Sequence, residues 1–257
     1  MLELRGIDKY YNPGTVNEMC LFQDFHLKLE KGEFLSVVGS NGSGKTSMLN
    51  IICGSIPIEK GQVFIGDKDI TKEKEYRRNR KIGRVYQNPA MGTCPSMTIL
   101  ENMALADNKG KLYGLGRGTN RARIGYYKEQ LAQLGLGLED KLEVKVGSLS
   151  GGQRQAMALL MSAMTPIEFL ILDEHTAALD PKTAELIMEL TDKIVKEKKL
   201  TTIMVTHNLR YAVEYGNRLV MMHEGKIILD KRDEEKEKVR IDDILKLFNE
   251  ISIECGN

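Results

Sequence analysis

One short segment, Gly39–Thr46, constrains the fold of this chain more than any other part of it. Its sequence, Gly-Ser-Asn-Gly-Ser-Gly-Lys-Thr, fits the pattern G-x-x-x-x-G-K-[ST]. An apolar run, Phe34–Val38, precedes the segment, and an amphipathic run that ends at Gly54 follows it. A strand, a glycine-rich loop and a helix in this order form a phosphate-binding loop, or P-loop. The sequence therefore predicts an α/β fold organised around a bound phosphate chain.

The residue types of this loop suit the phosphates of a nucleotide. Glycines allow successive backbone N–H groups to turn towards an anion, and the N-terminus of the next helix adds partial positive charge. We expect Lys45 to place a full charge on the β- and γ-phosphates and Thr46 to offer its hydroxyl to Mg²⁺. The predicted nucleotide-binding residues of this region are Gly39, Ser40, Asn41, Gly42, Ser43, Gly44, Lys45, Thr46 and Ser47.

A second candidate site follows the apolar strand Phe169–Leu172, which runs directly into Asp173 and Glu174. Two acids are costly to bury without a partner, so we expect them to face a cation or water at the end of the strand. Asp173 is predicted to hold the hydration shell of Mg²⁺, and Glu174 to take a proton from an attacking water. Taken alone, the segment fits a solvated strand end equally well, and its functional interpretation depends on the P-loop.

A third candidate site, Leu149–Gln153, opens a predicted helix with the sequence Leu-Ser-Gly-Gly-Gln. Small residues at a helix start expose backbone N–H groups and the Ser150 hydroxyl, which together form an anion site without a lysine. On its own, Ser-Gly-Gly is usually only a helix cap. One P-loop and one extra anion site in the same chain suggest two copies that face head to tail, each site completing the other's.

Hydrophobic periodicity places strands towards both ends of the chain and helices in the middle. The predicted strands include Leu2–Leu4, Phe25–Leu29, Val63–Ile65, Ile82–Tyr86 and a closing antiparallel hairpin of Leu219–Met222 with Ile227–Leu229. The predicted middle helices are Ile99–Ala106, Arg121–Leu134 and Gln153–Met164. A later helix is predicted to begin with Asp180 as N-cap and Pro181 as its first residue. The predicted fold class is α/β, a P-loop NTPase core with an antiparallel β subdomain and an inserted α-helical subdomain. Residues 1–230 form one domain in this interpretation, with a catalytic core of 1–88 and 165–230, a helical subdomain of about 89–164, and a C-terminal helical tail of 231–257.

Composition argues against several classes of protein. The chain has 37 Lys and Arg against 36 Asp and Glu, a net charge of +1, so no whole-molecule field attracts nucleic acid or anionic lipid. The four cysteines are far apart and lack zinc-ligand spacing, which is typical of reduced cytosolic thiols. The longest apolar run, Ala156–Met164, is too short to cross a bilayer. We therefore expect a cytoplasmic protein without a membrane span of its own.

Taken together, the motifs resemble those of the nucleotide-binding subunits of ATP-binding cassette (ABC) transporters. The resemblance covers roughly Met1–Asp230. Five motifs occur in the family's order: Gly39–Thr46, the signature segment Leu149–Gln153, Asp173-Glu174, Ala178–Asp180, and His207 after the strand Thr202–Val205. It implies an ATPase whose homodimer sandwiches two ATP molecules, each between one subunit's P-loop and the other's signature segment.

The resemblance also implies roles for single residues. Tyr11 is similar to the aromatic residue that stacks on adenine, with Tyr10 as a competitor and a core aromatic as the alternative for either. Gln87 is similar to the glutamine that reaches Mg²⁺ and the attacking water, and His207 would contact the γ-phosphate. The implied cofactors are ATP and Mg²⁺. The implied catalytic residues are Glu174, His207 and Gln87, the metal-binding residues are Thr46, Gln87 and Asp173, and the nucleotide-binding residues outside the P-loop are Tyr11, Ser150, Gly151, Gly152 and Gln153.

Two departures from the family's pattern matter. The family commonly has an arginine after the signature segment where this chain has Met161, which implies that one usual ion pair is missing. The family also usually has proline after the catalytic glutamate, whereas this chain has His175, which loses a rigid φ and adds a titratable group. Both features, together with the segment Asn12–Glu18, resemble a subgroup of bacterial importers, for which aromatic amino acids are a frequent provisional cargo.

The implied partners are a second copy of the chain, transmembrane permease subunits and an extracytoplasmic substrate-binding protein, without nucleic acid. The subunit would be peripheral on the inner face of the cell membrane. The alternative is a soluble cassette ATPase that acts on nucleic acid or ribosomes. No sustained heptad repeat lies between Thr46 and Leu149, and the chain has one cassette, which argues against that class.

Overall fold

The computed structural model describes residues 1–111, 118–119 and 121–254, and the side chains of 251–254 are not considered. These residues form two compact units, one from Met1–Asn79 together with the chain from Leu200 onwards, and the other from Arg80–Lys199. The predicted division into a core of 1–88 and 165–230 and a helical subdomain of about 89–164 stays a prediction, and the predicted tail, 231–257, extends beyond the described residues.

The secondary structure of the described residues comprises strands and helices along the whole chain. The strands are β1 Leu2–Tyr11, β2 Met19–Leu29, β3 Phe34–Gly39, β4 Lys60–Ile65, β5 Lys68–Asp69, β6 Ile82–Val85, β7 Phe169–Asp173, β8 Thr201–Val205, β9 Arg218–His223 and β10 Lys226–Arg232. The helices are α1 Lys45–Cys53, α2 Glu75–Arg78, α3 Ile99–Asp107, α4 Ile124–Ala132, α5 Gly151–Ala163, α6 Pro181–Lys198, α7 Leu209–Glu214, α8 Asp233–Glu237 and α9 Ile241–Glu254.

The first unit contains an antiparallel sheet with the strand order β2-β1-β4-β5. Leu2 and Leu4 of β1 are buried, and after an irregularity in strand pairing so are Ile7 and Lys9, as expected for a strand with one face on the core. Apolar runs predict only the shorter segments Leu2–Leu4, Phe25–Leu29 and Val63–Ile65 as strands of this sheet. The observed strands are longer because the register that pairs Lys9 with Phe22 and Tyr11 with Met19 continues through polar residues.

The first unit also contains the strands that carry the P-loop. β3 lies between β8 and β9 and is parallel to both, and β10 closes this edge as an antiparallel hairpin with β9. All six residues of β3 are buried, which is typical of a parallel strand covered on both faces. The predicted hairpin of Leu219–Met222 with Ile227–Leu229 is confirmed.

The second unit contains the parallel pair β6 and β7 and the helices α3 to α6. Helix α3 begins with a capping box of Thr98 and Glu101, and α6 begins with Asp180 as N-cap and Pro181 as its first residue, as predicted. The predicted helix Arg121–Leu134 starts with a 3₁₀ turn and becomes α-helical at Ile124. None of the helices in the described part of the chain is long and apolar enough to cross a membrane.

Candidate nucleotide-binding and catalytic site

The P-loop joins the buried strand β3 to helix α1 in the first unit. Its last glycine, Gly44, is the N-cap of α1 with φ of 100°, and no side chain caps the helix. A Cβ atom at Gly44 would lie 2.8 Å from ring atoms of Phe22, so both the backbone angle and the close approach require glycine. The first turn of α1 also contains no acid. The N-terminus of α1 therefore has neither a side-chain cap nor an acid beside it, which suits the predicted anion site.

Lys45 is nearly buried, with 5% of its surface exposed. Its Nζ donates to the backbone carbonyl oxygens of Gly39 and Ser40, both at 2.8 Å. These acceptors are neutral, whereas hydrogen bonds from an ammonium group to phosphate oxygens are assisted by charge and are about twice as strong as neutral ones. Lys45 is thus held over the loop by contacts that a phosphate can replace.

Tyr11 ends β1 and is tied to the helix of the P-loop. Its hydroxyl lies 3.0 Å from Oγ of Ser47, the third residue of α1, and the ammonium of Lys9 lies 5.5 Å from the centre of its ring. Tyr10 instead lies opposite Cys20 in the β1–β2 register, and a hydrogen bond with this thiol raises the pKa of Tyr10. Of the two tyrosines, Tyr11 is therefore the one that contacts the P-loop helix.

His207 also belongs to the first unit and follows the carboxyl end of β8. Val205, at the end of β8, pairs with Val37 of β3, and the N–H of Thr206 donates to the Val37 carbonyl at 3.1 Å. His207 itself is exposed. The structure therefore brings the P-loop and His207 to the carboxyl edge of two neighbouring parallel strands, where open α/β sheets bind ligands.

Gln87, Asp173 and Glu174 lie together at the corresponding edge of the second unit. β6 and β7 are parallel, with Val85 paired to Leu172, so the residues that follow each strand leave the same edge. Gln87 is exposed, whereas Asp173 is 9% exposed. Glu174 has φ of 49°, a backbone region that non-glycine residues rarely adopt and that is common at functional sites. All three residues therefore follow or end strands at the same edge of this unit, and their roles stay predictions.

Arg84 is the charged partner of Asp173. Its Nη2 donates to Asp173 Oδ2 at 2.7 Å, and the two side chains are only 10% and 12% exposed. The guanidinium group also lies over the ring of Tyr86, 4.7 Å from its centre. The acid that is expected to face a cation therefore already has one in its own subdomain.

The signature segment forms the start of α5, with Ser150 as N-cap. Ser150 Oγ accepts from the Gln153 N–H and Gln153 Oε1 accepts from the Ser150 N–H, both at 3.2 Å, which completes a capping box. A Cβ atom at Gly152 would lie 2.2 Å from Cγ2 of Thr183, so glycine allows α5 to approach α6 closely. The helix-cap interpretation of this segment is thus correct, and Ser150 remains exposed beside it.

His175 follows Glu174 and points into the interior, with 2% of its surface exposed. Thr191 Oγ1 donates to the Ile187 carbonyl at 2.7 Å, so its hydrogen is already used. The imidazole Nε2 therefore donates to Thr191 Oγ1, 3.2 Å away. Burial lowers the pKa of His175 from 6.5 to about 4. The titratable group predicted at this position is therefore neutral near pH 7, and it packs the loop instead of charging it.

The donor groups present fit ATP and Mg²⁺. The uncapped N-terminus of α1 and the ammonium of Lys45 suit phosphates. Within the described residues no three His, Cys, Asp or Glu side chains converge on a possible metal site. Mg²⁺ is commonly held by one or two carboxylates together with the phosphates of its nucleotide, so a single acid such as Asp173 in the second unit suits a metal that is bound with a nucleotide.

Two residues that contact the candidate site are absent from the sequence predictions. Arg84 interrupts the apolar strand Ile82–Tyr86, and a charge at a strand position that is expected to be buried is itself a signal that an acid lies nearby. Gln155 is a buried polar residue in the apolar part of α5, and its Nε2 donates to the Tyr86 carbonyl at 3.1 Å, next to Gln87. The partner of each residue lies far away in sequence, so only the fold identifies it.

Comparison with known proteins agrees with the geometry. Residues 22–177 match the family described as "ABC transporter". The chain is 46% identical, over 96% of its length and 98% of the relative's, to the "Tyrosine transport ATP-binding protein" of Clostridioides difficile. It is 29% identical, over 95% and 98% of the two chains, to the "Phosphonates import ATP-binding protein PhnC" of Lactococcus lactis subsp. cremoris.

A solved structure has the same fold. The ATP-binding cassette MJ0796, described as a dimeric post-hydrolysis state bound to ADP and Pi, superposes with a TM-score of 0.76 at 30% identity, over 90% of this chain and 98% of that one. The predicted fold class, the P-loop NTPase fold of an ABC cassette, is confirmed. These matches, with the P-loop and the acidic strand end already described, establish that the chain belongs to the ABC transporter family as an ATP-binding subunit, an ATPase that powers a membrane permease.

Proposed function

We propose that the chain is the ATPase of a bacterial importer of a small solute, with an aromatic amino acid such as tyrosine as the first candidate. The observation that carries the choice of cargo is the 46% identity to a tyrosine transport ATP-binding protein along almost the full length of both chains. No residue of an ATPase subunit needs to touch the cargo, because permease and binding protein select it. The proposed cargo therefore rests on sequence similarity to one relative and not on a cargo-binding pocket in this chain.

In the proposed reaction the first unit binds the nucleotide. The N–H groups at the start of α1 and the ammonium of Lys45 hold the β- and γ-phosphates, and Thr46 offers its hydroxyl to Mg²⁺. Tyr11 stacks on adenine, and the 3.0 Å contact of its hydroxyl with Ser47 supports this choice over Tyr10, because it holds the ring beside the P-loop helix. Ser40 to Gly44 supply the backbone that curls round the phosphates.

The second unit supplies the acids of the reaction. Glu174 accepts a proton from the attacking water, while Asp173 and Gln87 hold water molecules of the Mg²⁺ shell. His207 of the first unit orients the γ-phosphate and the attacking water. Mg²⁺, when bound, neutralises charge on the phosphate oxygens. The shared edge of Gln87, Asp173 and Glu174 and the strained φ of Glu174 support these roles.

We further propose that two copies of the chain associate head to tail on ATP. Each P-loop would then face the signature segment of the other copy, whose residues Ser150, Gly151, Gly152 and Gln153 add N–H and hydroxyl donors to the γ-phosphate. A dimeric description of the similar cassette MJ0796 supports this assembly. ATP favours the closed dimer because it contacts both copies only there, and hydrolysis removes that differential affinity.

The remaining partners follow from the same proposal. The dimer would lie in the cytoplasm against transmembrane permease subunits, and an extracytoplasmic binding protein would deliver the cargo to them. The nearly neutral charge of the chain supports protein partners over nucleic acid.

Reconstitution with the neighbouring gene products tests this proposal. The chain is co-expressed with the genes that neighbour its own, and any permease and binding protein that co-purify with it are placed with it in liposomes that contain ATP on the ATPase side. We expect ATP-dependent accumulation of labelled tyrosine in the compartment that holds the ATPase, but not of a labelled phosphonate. Glu174→Gln provides the control without turnover. Accumulation of the phosphonate, or ATP-driven movement of tyrosine away from the ATPase side, would contradict the assignment.

A further inference from the structure

The ion pair between Arg84 and Asp173 joins the middle of one strand to the end of its neighbour. Arg84 is the third residue of β6 and lies opposite Ile171 of the parallel strand β7, whose last residue is Asp173. The side chain of Arg84 therefore reaches along the sheet towards the carboxyl edge. There its Nη2 meets Oδ2 of Asp173 at 2.7 Å.

Burial and a contact with the ring of Tyr86 both restrict the position of the Arg84 guanidinium. About nine-tenths of each side chain is removed from solvent, so screening by water and salt is weak at this pair. The ring of Tyr86, two residues further along, lies under the guanidinium at 4.7 Å from the ring centre. Arginine stays protonated at every pH at which the protein is folded. The carboxylate of Asp173 thus has a fixed positive neighbour.

We propose that Arg84 is a positioning residue for ATP hydrolysis that orients Asp173 and lowers the affinity of its carboxylate for Mg²⁺. This inference rests on the proposed role of Asp173 towards that metal. The positive charge of Arg84 repels a divalent cation that approaches the same carboxylate and withdraws negative charge from Oδ2. Asp173 then binds the metal weakly by itself and holds it only together with the phosphates of the nucleotide.

As a consequence, Asp173 would hold Mg²⁺ appreciably only while a nucleotide is bound. A carboxylate that bound Mg²⁺ tightly by itself would slow the release of the product. Because the guanidinium donates one hydrogen bond to Oδ2, it fixes the carboxylate plane while it lowers the affinity for the metal. Arg84 thereby combines orientation and charge, and the two contributions can be separated by substitution.

Mn²⁺ binding measured by electron paramagnetic resonance tests the proposal without relying on turnover. Free Mn²⁺ is titrated against the ADP complex of the wild-type chain and of two variants. Arg84→Gln keeps an N–H donor for Asp173 but removes the charge, and Arg84→Lys keeps the charge but removes the planar fork. We expect Arg84→Gln to lower the dissociation constant for Mn²⁺ about tenfold, and Arg84→Lys to stay within about threefold of wild type.

A matched control comes from the other unit. Arg5 also pairs with a carboxylate, Glu3, and also covers an aromatic ring, Phe64, at 4.8 Å, but it lies in the antiparallel sheet. Arg5→Gln should leave Mn²⁺ binding unchanged. Thermal melts show whether each variant is folded, and Arg84→Lys and Arg84→Gln provide independent readings if one of them is not.

The outcomes distinguish this inference from the proposed function itself. Unchanged or weaker Mn²⁺ binding in folded Arg84→Gln, or equally tightened binding in Arg84→Lys, would overturn the role of Arg84. Asp173→Asn is measured alongside and should weaken Mn²⁺ binding. If it does not, the assignment of Asp173 to the metal fails, whatever the Arg84 variants show.

Discussion

The carboxyl edges of the two units carry opposite charges, and each unit compensates its charge in a different way. Lys45 of the first unit donates to the carbonyl oxygens of Gly39 and Ser40, which are neutral. Asp173 of the second unit is paired with the full charge of Arg84. Neutral carbonyl groups are weak competitors for phosphate, whereas a guanidinium is a strong competitor for a metal ion. A phosphate can therefore displace the two carbonyl contacts of Lys45, whereas our proposal is that Arg84 limits how tightly Asp173 holds a cation.

Removal of the lysine should have the largest effect in this comparison. Lys45→Ala removes the full charge that the P-loop places on the phosphates, and we expect turnover to fall about 10²–10³-fold, as when one preorganised donor is lost from a catalytic site. Phosphate release measures turnover, and a fluorescent ATP analogue measures affinity, which should also weaken. Lys31→Ala, at an exposed position of the same unit, is the control. A Lys45→Ala protein that kept more than a tenth of wild-type turnover would refute the role given to this edge.

The next effect concerns His175, which lies behind the acids of the second edge. Its pKa in the folded protein, about 4, is below the ordinary 6.5, so the unfolded chain binds the proton more tightly. Stability is therefore complete above pH 6.5 and falls as the pH drops towards 4, by about 3 kcal/mol for this group.

Urea unfolding at several pH values between 7 and 4 measures this loss. His175→Gln removes the titration and should flatten that part of the pH dependence, although the variant is less stable at pH 7 through lost packing. His26→Gln, which changes a histidine with an exposed side chain, should leave the profile as in wild type. An equally steep profile in His175→Gln would show that another group causes the acid sensitivity.

The smallest expected effect is that of removing a helix cap, and it tests whether Ser150 of the signature segment only caps α5 or also supports turnover. Thr98 of α3 and Ser150 of α5 both form capping boxes, with Glu101 and Gln153 respectively. Replacement of either cap by alanine should cost about 1 kcal/mol of unfolding free energy. Only Ser150→Ala should also lower turnover by more than its effect on stability explains. If both variants lose turnover equally, Ser150 is a cap and nothing more.

Local signals in the sequence were sufficient to predict much of the candidate site. The P-loop, the acidic strand end and the N-cap at Asp180 are each defined by neighbouring residues, and the structure places them on the expected elements. The ends of β1 and β2 were not predictable from apolar runs, because their pairing continues through polar residues. The length of a paired strand depends on the residues of both partners, so the sequence of one strand does not define where the pairing ends.

The charges at the carboxyl edge of the second unit could not be predicted from the sequence for a similar reason. Arg84 and Asp173 are 89 positions apart, and only the parallel pairing of β6 with β7 brings them into contact. The sequence indicated a titratable His175, but its pKa depends on burial against Thr191 from α6. Sequence motifs thus indicated the candidate residues Asp173 and His175, whereas only their packing in the fold showed the ion pair of the first and the lowered pKa of the second.

ATP-dependent association of Glu174→Gln tests the central claim most directly. Without the base, ATP should bind but not turn over, with a rate at least about a hundredfold below wild type. Light scattering after size exclusion should then show a dimer of the 28.9 kDa chain in ATP and a monomer without it. The double variant Lys45→Ala/Glu174→Gln should remain monomeric. Turnover of Glu174→Gln close to wild type, or a mass that ATP does not change, would contradict the account.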